Sequence, residues 1–328
     1  MRRVECRSQG GVRQEQPDWM AKTRGYTKRF AYYVGKRCQE SSIASVAKEL
    51  FLNWKTVKAL EMEYMEEKLR RAGPMRPHII GIDEISIKKG HSYRIVVSDL
   101  EQRRPIWFGG KDRSQESMDM FYNLFKPRQL KGIRLAVMDM WKAFENSTMH
   151  NVPCAAILYD KFHVIRHLND ALDEVRRKEY RRVNKEEKKF IKGQRYNLLS
   201  AMENLTVDGR QSLNMLLKAN KRLEVAHMLK ESFSQLWDYK SEAWALKFFQ
   251  NWKSSLRWQR LKPFEKFAEM IEKHWDGIAA HCRPENQIPL GFVEGLNNKI
   301  RVLQRRAYGI RDEEYLRLKV LTCMLLDF

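Results

Sequence analysis

The order of strand-like and helix-like segments between residues 79 and 159 places the strongest constraint on the fold of this chain. Three runs rich in β-branched and aromatic residues come first, separated by short polar turns: Ile79–Ile87, Tyr93–Asp99 and Arg104–Phe108. Such runs predict three strands of an antiparallel meander. Two shorter apolar runs, Leu135–Met138 and Cys154–Tyr159, alternate with helical patterns and are typical of buried parallel strands. The order β-β-β-α-β-α-β therefore predicts an α/β domain with a mixed sheet.

A segment with helical patterning, Thr27–Arg71, precedes this domain and is broken in two places. Ser41 or Ser42 can cap a second helix, and Asn53 can cap a third that starts at Trp54, because these side chains accept hydrogen bonds from the first turn. Helix, short turn, helix is the outline of a helix-turn-helix, whose second helix presents its first residues to base edges. We therefore expect DNA contacts from Trp54, Lys55, Thr56 and Lys58.

The region from residue 161 to residue 282 has helical patterning almost throughout, with apolar residues repeating at i, i+3, i+4 and i+7. Its basic stretch, Arg176–Arg195, is either a solvated helix face or a set of phosphate contacts. Most of its tryptophans fit the core of a helical domain, while one or two could stack on an unpaired base: Trp237, Trp244, Trp252, Trp258 and Trp275.

The charge balance indicates a polyanionic partner. The chain has 62 Lys and Arg residues against 41 Asp and Glu, a formal net charge of +21 in 328 residues. Nucleic acid is the commonest partner for such an excess. A membrane-spanning segment is not expected, because no run approaches the roughly 18 apolar residues that a span needs.

Three acidic residues occupy positions from which they could converge. Asp83 lies inside the first predicted strand, where a charge is unfavourable unless it is paired or binds a metal. Asp139 directly follows the run that ends at Met138, and ligands bind at the carboxyl ends of strands in open α/β sheets. Glu294 lies on a late helix. Carboxylate oxygens suit Mg²⁺; the alternative is that Asp83 pairs with a basic residue, Asp139 caps a helix and Glu294 is solvated.

Several stretches, in a fixed order, resemble those of the ISL3 family of insertion-sequence transposases. They are Gly81–His91 (GIDEISIKKGH), Tyr93–Leu100 (YRIVVSDL), Arg104–Gly110 (RPIWFGG), Met138–Ala143 (MDMWKA), Asp160–His163 (DKFH), Arg166–Asn169 (RHLN), Gly291–Lys299 (GFVEGLNNK) and Arg305–Gly309 (RRAYG). The resemblance extends over nearly the whole chain.

This resemblance implies an RNase H-like α/β core in which Asp83, Asp139 and Glu294 are the catalytic acids. The acids would hold two Mg²⁺ ions about 3.5–4 Å apart, with Mn²⁺ as a substitute and Asp83 bridging both. Expected partners are double-stranded DNA, as element ends and as target, and further copies of the chain on that DNA. The expected location is the cytoplasm, in association with the nucleoid.

Residues outside the three acids carry weaker expectations. Arg305 and Arg306 follow the helix of Glu294 and could hold the DNA backbone near the cut. Asp160 and His163 could support the site indirectly, with His163 orienting Asp160 or the substrate.

The resemblance also implies a domain order. We expect a zinc-ribbon remnant at 1–25, a helix-turn-helix at 26–74, the core at 75–162 and 289–328, and a helical insertion at 163–288. Residues 6–9 resemble the last knuckle of the ribbon, but Gln9 stands where a second cysteine belongs and the first knuckle is missing. Since a structural zinc site needs four ligands, we expect a truncated, poorly ordered remnant without zinc.

Three functions compete at this point. An active transposase is favoured by the three acids. A catalytically silent or domesticated remnant that still binds DNA is favoured by the incomplete ribbon. A stand-alone RNase H-like nuclease is disfavoured by the helix-turn-helix.

Overall fold

The computed structural model describes residues 3–5, 10, 12–14, 17–88, 92–289, 291–307 and 309–327. Two short strands, β1 (Arg3–Glu5) and β2 (Val12–Gln14), pair antiparallel. Three helices follow: α1 (Lys28–Glu40), α2 (Ile43–Glu49) and α3 (Trp54–Arg71). The knuckle-like residues 6–9 lie outside the described residues. An isolated β-bridge pairs Met20 with Thr27, and the expected poor order of residues 1–25 stays a prediction.

Side-chain caps set the starts of these helices, and those of α2 and α3 were predicted from the sequence. Thr27 accepts a hydrogen bond at the start of α1, Ser42 at the start of α2 and Asn53 at the start of α3. Each side-chain oxygen satisfies an N–H group that has no partner within its own helix. The three-helix outline predicted from the sequence is confirmed, and of the two candidate serines it is Ser42 that caps α2.

The turn between α2 and α3 contains a residue in a left-handed conformation. Phe51 has φ 54°. Its N–H donates to the carbonyl of Lys48 at 3.4 Å, and the N–H of Leu52 donates to the carbonyl of Ala47 at 2.9 Å. This is the Schellman pattern that ends many helices, usually with glycine at the left-handed position. A side chain there costs about 1–2 kcal/mol in backbone strain.

A five-stranded mixed sheet follows, with strand order β5-β4-β3-β6-β7. Its strands are β3 (Ile79–Lys88), β4 (Ser92–Asp99), β5 (Arg104–Gly109), β6 (Leu135–Met138) and β7 (Ala156–Tyr159). The helices between them are α4 (Gln115–Tyr122), α5 (Pro127–Leu130) and α6 (Lys142–Asn151). Strands β4 and β5 pair antiparallel, whereas β3 with β6 and β6 with β7 pair parallel. The predicted α/β class and mixed sheet are confirmed.

A long helical region comes next. It contains α7 (Lys161–Arg182), α8 (Lys185–Gly193), α9 (Arg195–Leu199), α10 (Val207–Ala219), α11 (Lys221–Phe233), α12 (Glu242–Ser255), α13 (Lys262–Lys273) and α14 (Trp275–Ala279). Two helices complete the chain, α15 (Gly291–Arg306) and α16 (Glu313–Thr322). Within the described part of the chain, no helix is long and apolar enough to cross a membrane.

The chain divides into two compact units. The first contains the described residues within 1–77, 83–113 and 291–328, and the second contains 78–82 and those within 114–290. In the first unit, one core combines the sheet residues Ile85, Val96 and Phe108 with side chains of α15 and α16, including Leu296, Ile300, Leu316 and Val320.

A buried polar contact joins α3 to α16 within the first unit. Glu61 is only 1% exposed. Its carboxylate accepts a hydrogen bond from the Tyr315 hydroxyl at 2.5 Å and forms an ion pair with Lys319. Burial raises the pKa of Glu61, and Lys319 and Tyr315 oppose that shift. Removal of such partners would leave a buried carboxylate uncompensated.

The second unit has an aromatic core. Phe233 lies 4.9 Å, ring centre to ring centre, from both Trp252 and Phe267. Trp275 stacks on Phe249 at 5.1 Å. Three of the five tryptophans singled out in the sequence, Trp237, Trp252 and Trp275, therefore belong to or border the interior of this unit.

Candidate active site and DNA interface

Asp83 faces the helix that carries Glu294. Because side chains alternate along a strand, Asp83 shares a face of β3 with Ile85, which packs against Leu296 and Ile300 of α15. Asp83 is half-buried. Its Oδ1 accepts a hydrogen bond from the N–H of Glu84 at 2.7 Å, and its Oδ2 accepts one from the Asn297 side-chain amide at 2.5 Å.

Helix α15 brings Glu294 and Asn297 to neighbouring positions one turn apart. The buried stripe of the helix consists of Val293, Leu296, Asn297 and Ile300, so an amide stands among apolar residues. Asn297 is 7% exposed, and its Oδ1 has no hydrogen-bond partner among the described residues. Glu294 is exposed and lies in the first turn, where the helix dipole favours a negative charge.

Asp139 lies in the second unit, directly after β6. It is half-buried, and its Oδ1 accepts a hydrogen bond from the N–H of Met140 at 2.6 Å. Strand pairing places Gly81 opposite Val137. Asp83, inside β3, and Asp139, directly after β6, each come two residues after a member of that pair.

Asp160 and His163 lie one strand further along the sheet. Met138 pairs with Tyr159, and the N–H of Asp160 donates to the carbonyl of Met138 at 2.9 Å. The Asp160 carboxylate caps α7 and lies 3.5 Å from Nδ1 of His163. The two side chains are therefore in contact, and their role in the site remains a prediction.

Further polar groups surround the end of β7 in the second unit. The Nδ1 atom of His274 lies 3.3 Å from the Tyr159 hydroxyl. Burial lowers the pKa of His274, and the charges of Glu145 and Asp139 oppose that shift. Burial also raises the pKa of Tyr159. The charge of Asp139 therefore acts on the imidazole of His274, which lies between α13 and α14. The sequence analysis did not single out His274.

The donor set suits a hard cation but is not preassembled. Among the described residues, no group of three or more His, Cys, Asp or Glu side chains lies close enough to hold a metal ion. The oxygen atoms at Asp83 and the unpaired Oδ1 of Asn297 are nevertheless the ligand type that Mg²⁺ prefers.

The expected DNA-contacting residues of α3 differ in solvent exposure and in their contacts within the protein. Trp54 and Lys55 are exposed, and Thr56 is half-buried. The Nζ atom of Lys58 forms an ion pair with Asp312 at 2.5 Å. Lys58 is therefore engaged within the protein, which weakens the expectation that it contacts bases.

Arg305 and Arg306 end α15 and are both exposed. The Arg306 guanidinium donates to the main-chain carbonyl of Gln39 at the end of α1. Arg306, Trp54 and Lys58 line one cavity of about 510 Å³. The structure thus brings three of the six expected DNA-contacting residues to the same place.

Many cations of the basic stretch Arg176–Arg195 form ion pairs with nearby acidic side chains. Asp173, itself buried, forms ion pairs with Arg176 at 2.7 Å, Arg177 at 3.3 Å and Arg195 at 3.2 Å. Lys178 and Arg182 pair with glutamates of α7. The exposed cations of α8, which include Lys185, Lys189 and Lys192, are better placed for phosphate contact.

Two tryptophans of the second unit are exposed instead of buried. Trp244 is 61% exposed and Trp258 is 81% exposed. A cation lies over each ring, Lys247 Nζ at 5.2 Å and the Arg257 guanidinium carbon at 5.5 Å. Of the five tryptophans listed above, Trp244 and Trp258 are therefore the two that could stack on an unpaired base.

Comparison with known proteins decides the family. The transposase domain of the ISL3 family matches residues 80–320, and the helix-turn-helix domain of the same family matches residues 15–64. The chain belongs to the ISL3 family of transposases. It is 31% identical to the transposase of insertion sequence element IS1001 from Bordetella parapertussis, over 97% of this chain and 79% of that protein.

A second relative is less similar. The transposase of insertion sequence element IS1557 from Mycobacterium tuberculosis is 27% identical over 96% of this chain and 75% of that protein. Both family matches agree with the fold, since residues 15–64 contain α1, α2 and most of α3, and residues 80–320 run from β3 into α16. The resemblance stated from sequence motifs is therefore confirmed.

One residue that the sequence analysis missed is Asn297. The signal was present, since an amide on an otherwise apolar helical stripe needs a polar partner when buried. That partner, Asp83, is 214 positions away in the chain and could not be identified without the fold.

Proposed function

We propose that the chain binds the ends of an insertion sequence and catalyses DNA cleavage and strand transfer, with Asp83, Asp139 and Glu294 as its catalytic acids. The observation that carries this proposal is the hydrogen bond between Asp83 and Asn297, which ties the first acid to the helix of the third. The strand register pairs Gly81 with Val137, so Asp83 and Asp139 each come two residues after a paired residue of neighbouring parallel strands.

Divalent metal ions are part of this proposal. Asp83, Asp139 and Glu294 would hold them, with the side-chain oxygen of Asn297 close to Asp83. When bound, two Mg²⁺ ions supply activation of the attacking oxygen and stabilisation of the leaving oxygen.

The protein's own contribution is to orient the carboxylates. Main-chain N–H groups of Glu84 and Met140 each hold one oxygen of Asp83 and Asp139 and fix the rotation of the carboxylate. The N-terminus of α15 stabilises the charge of Glu294. In cleavage, water attacks phosphorus and the 3′-oxygen leaves. In joining, that 3′-hydroxyl attacks a target phosphate and another 3′-oxygen leaves, so one arrangement of acids serves both steps.

The helix-turn-helix would select the element ends, and the exposed basic residues would hold the DNA backbone. We further propose that the chain acts as a dimer or higher oligomer, since both ends of one element must be handled together. Its DNA substrate places it in the cytoplasm, at the nucleoid.

The test is incubation of the full chain with duplexes of its own element ends, a target plasmid and Mg²⁺. Nicked ends and joined products support the proposal. Specific binding of the ends without any cleavage would instead support the DNA-binding remnant.

A further inference from the structure

Phe51 is the most exposed large hydrophobic side chain of the described residues, at 95%. It also has the left-handed φ of 54° in the turn between α2 and α3. The hydrogen bonds that close this turn come from main-chain groups and do not require the side chain. Glycine would make the same turn without strain.

The fold therefore gains nothing from the aromatic ring. A side chain that strains the backbone and buries almost no surface does not stabilise the fold. We therefore expect Phe51 to have a role outside the fold. Its place at the tip of a helix-turn-helix limits what that role can be.

The surroundings of Phe51 are basic and aromatic. Lys48 and Lys55 are exposed on either side of it in sequence, and Lys55 Nζ lies 5.9 Å from the centre of the Trp54 ring. The acid next to this group, Glu49, is paired with Arg37 at 2.8 Å. The charge of this surface therefore complements the phosphate backbone of double-stranded DNA, the substrate proposed above.

We propose that Phe51 contacts the 5-methyl group of a thymine in the major groove of the DNA that the chain recognises. The N-terminal end of a recognition helix enters that groove, and the turn before it enters beside it. The thymine methyl is the apolar group displayed there, and aromatic side chains contact it. Phe51 thus adds a specificity-determining contact to the recognition helix. This inference rests on the proposed end binding.

The test combines a protein change with a DNA change. The full chain first selects its preferred duplex from a random library, and thymines in that duplex are then replaced one at a time by uracil, which lacks only the methyl group. Wild type should lose about fourfold in affinity at one or two positions, as expected for one buried methyl group. Phe51→Gly should bind thymine and uracil duplexes equally well at those positions and should melt no lower than wild type.

Arg103→Gly is the matched control. Arg103 is another exposed residue with a left-handed φ, 51°, so the substitution relieves the same kind of strain elsewhere. It should leave the uracil response unchanged. A wild type that selects no sequence would overturn the proposed end recognition. A wild type that selects a sequence but is indifferent to every uracil, or a Phe51→Gly variant with the full uracil response, would overturn the role of Phe51.

Discussion

The side-chain amide of Asn297 donates to Oδ2 of Asp83 at 2.5 Å, and the other half of the same amide, Oδ1, is buried without a hydrogen-bond partner. A buried acceptor that remains unsatisfied costs about 1–3 kcal/mol. Such a cost is expected where a ligand supplies the missing interaction. The pair therefore gives a direct way to test whether a cation binds beside Asp83.

Asn297→Asp would place a second carboxylate against Asp83. Without metal the two charges repel, so the variant should melt below wild type in a chelator, and Mg²⁺ or Ca²⁺ should recover much of the loss. Differential scanning fluorimetry with and without each cation measures this. Asn298→Asp, on the exposed face of the same helix, is the control and should show little cation dependence. Equal cation responses of the two variants would contradict a site at Asn297.

Asp83→Asn, Asp139→Asn and Glu294→Gln should each reduce DNA cleavage more than about 100-fold, since loss of an outer partner of a metal ligand alone costs about 10–100-fold. End binding should change little, because each substitution preserves the shape of the side chain. Cleavage and gel-shift assays on the same preparations measure both. Wild-type cleavage by any one variant would remove that residue from the site.

Mg²⁺ and Mn²⁺ should support cleavage, while Ca²⁺ should support end binding without chemistry. Calcium takes more ligands in looser geometry and positions the attacking oxygen less well. A time course with each metal at equal ionic strength separates binding from chemistry. Cleavage in excess chelator would be incompatible with metal-dependent catalysis.

Lys55→Ala and Thr56→Ala should lower the preference for element ends over random DNA, because they begin the recognition helix. Lys185→Ala with Lys189→Ala on α8 should weaken both DNAs equally and reduce the dependence of binding on salt, as phosphate contacts do. Titrations at several salt concentrations distinguish the two outcomes. The reverse pattern would mean that α8 and not α3 reads the sequence.

Acid should destabilise the second unit. Burial lowers the pKa of His227, His274 and His281, so below the ordinary histidine pKa of about 6.5 the unfolded chain binds more protons than the folded chain. The free energy of unfolding therefore falls as the pH drops through 6.5, by at most about 1.4 kcal/mol per pH unit for each group. Urea unfolding at pH 8 and pH 5.5 measures the fall. His227→Gln should reduce it, whereas the exposed His150→Gln should not.

Local signals predicted much of the fold. The cap at Asn53 and the strand Leu135–Met138 were predicted correctly, because capping and short apolar runs depend on neighbours in sequence. The start of helix α4 at Gln115 could not be predicted, since the cap at Ser114 lies in a polar stretch that shows no apolar period. Strands β1 and β2 were not predicted at all.

Contacts that depend on tertiary structure could not be predicted from the sequence. The pairing of Asp173 with Arg176 follows helical spacing and could have been foreseen, but its pairing with Arg195 depends on how α7 and α9 pack. The engagement of Lys58 by Asp312 is of the same kind. Candidate site residues could be placed on strands and helices from sequence, whereas their partners could not.

The burial of Glu61 against Tyr315 and Lys319 sets a limit on how this protein can be re-engineered. A chimera that exchanges residues 26–74 alone would separate the carboxylate from both partners and lose about 3–5 kcal/mol where the donor sequence does not supply replacements. Helices α1–α3 are therefore not an independently exchangeable module. Grafts that exchange the helix-turn-helix should transfer α16 together with α1–α3.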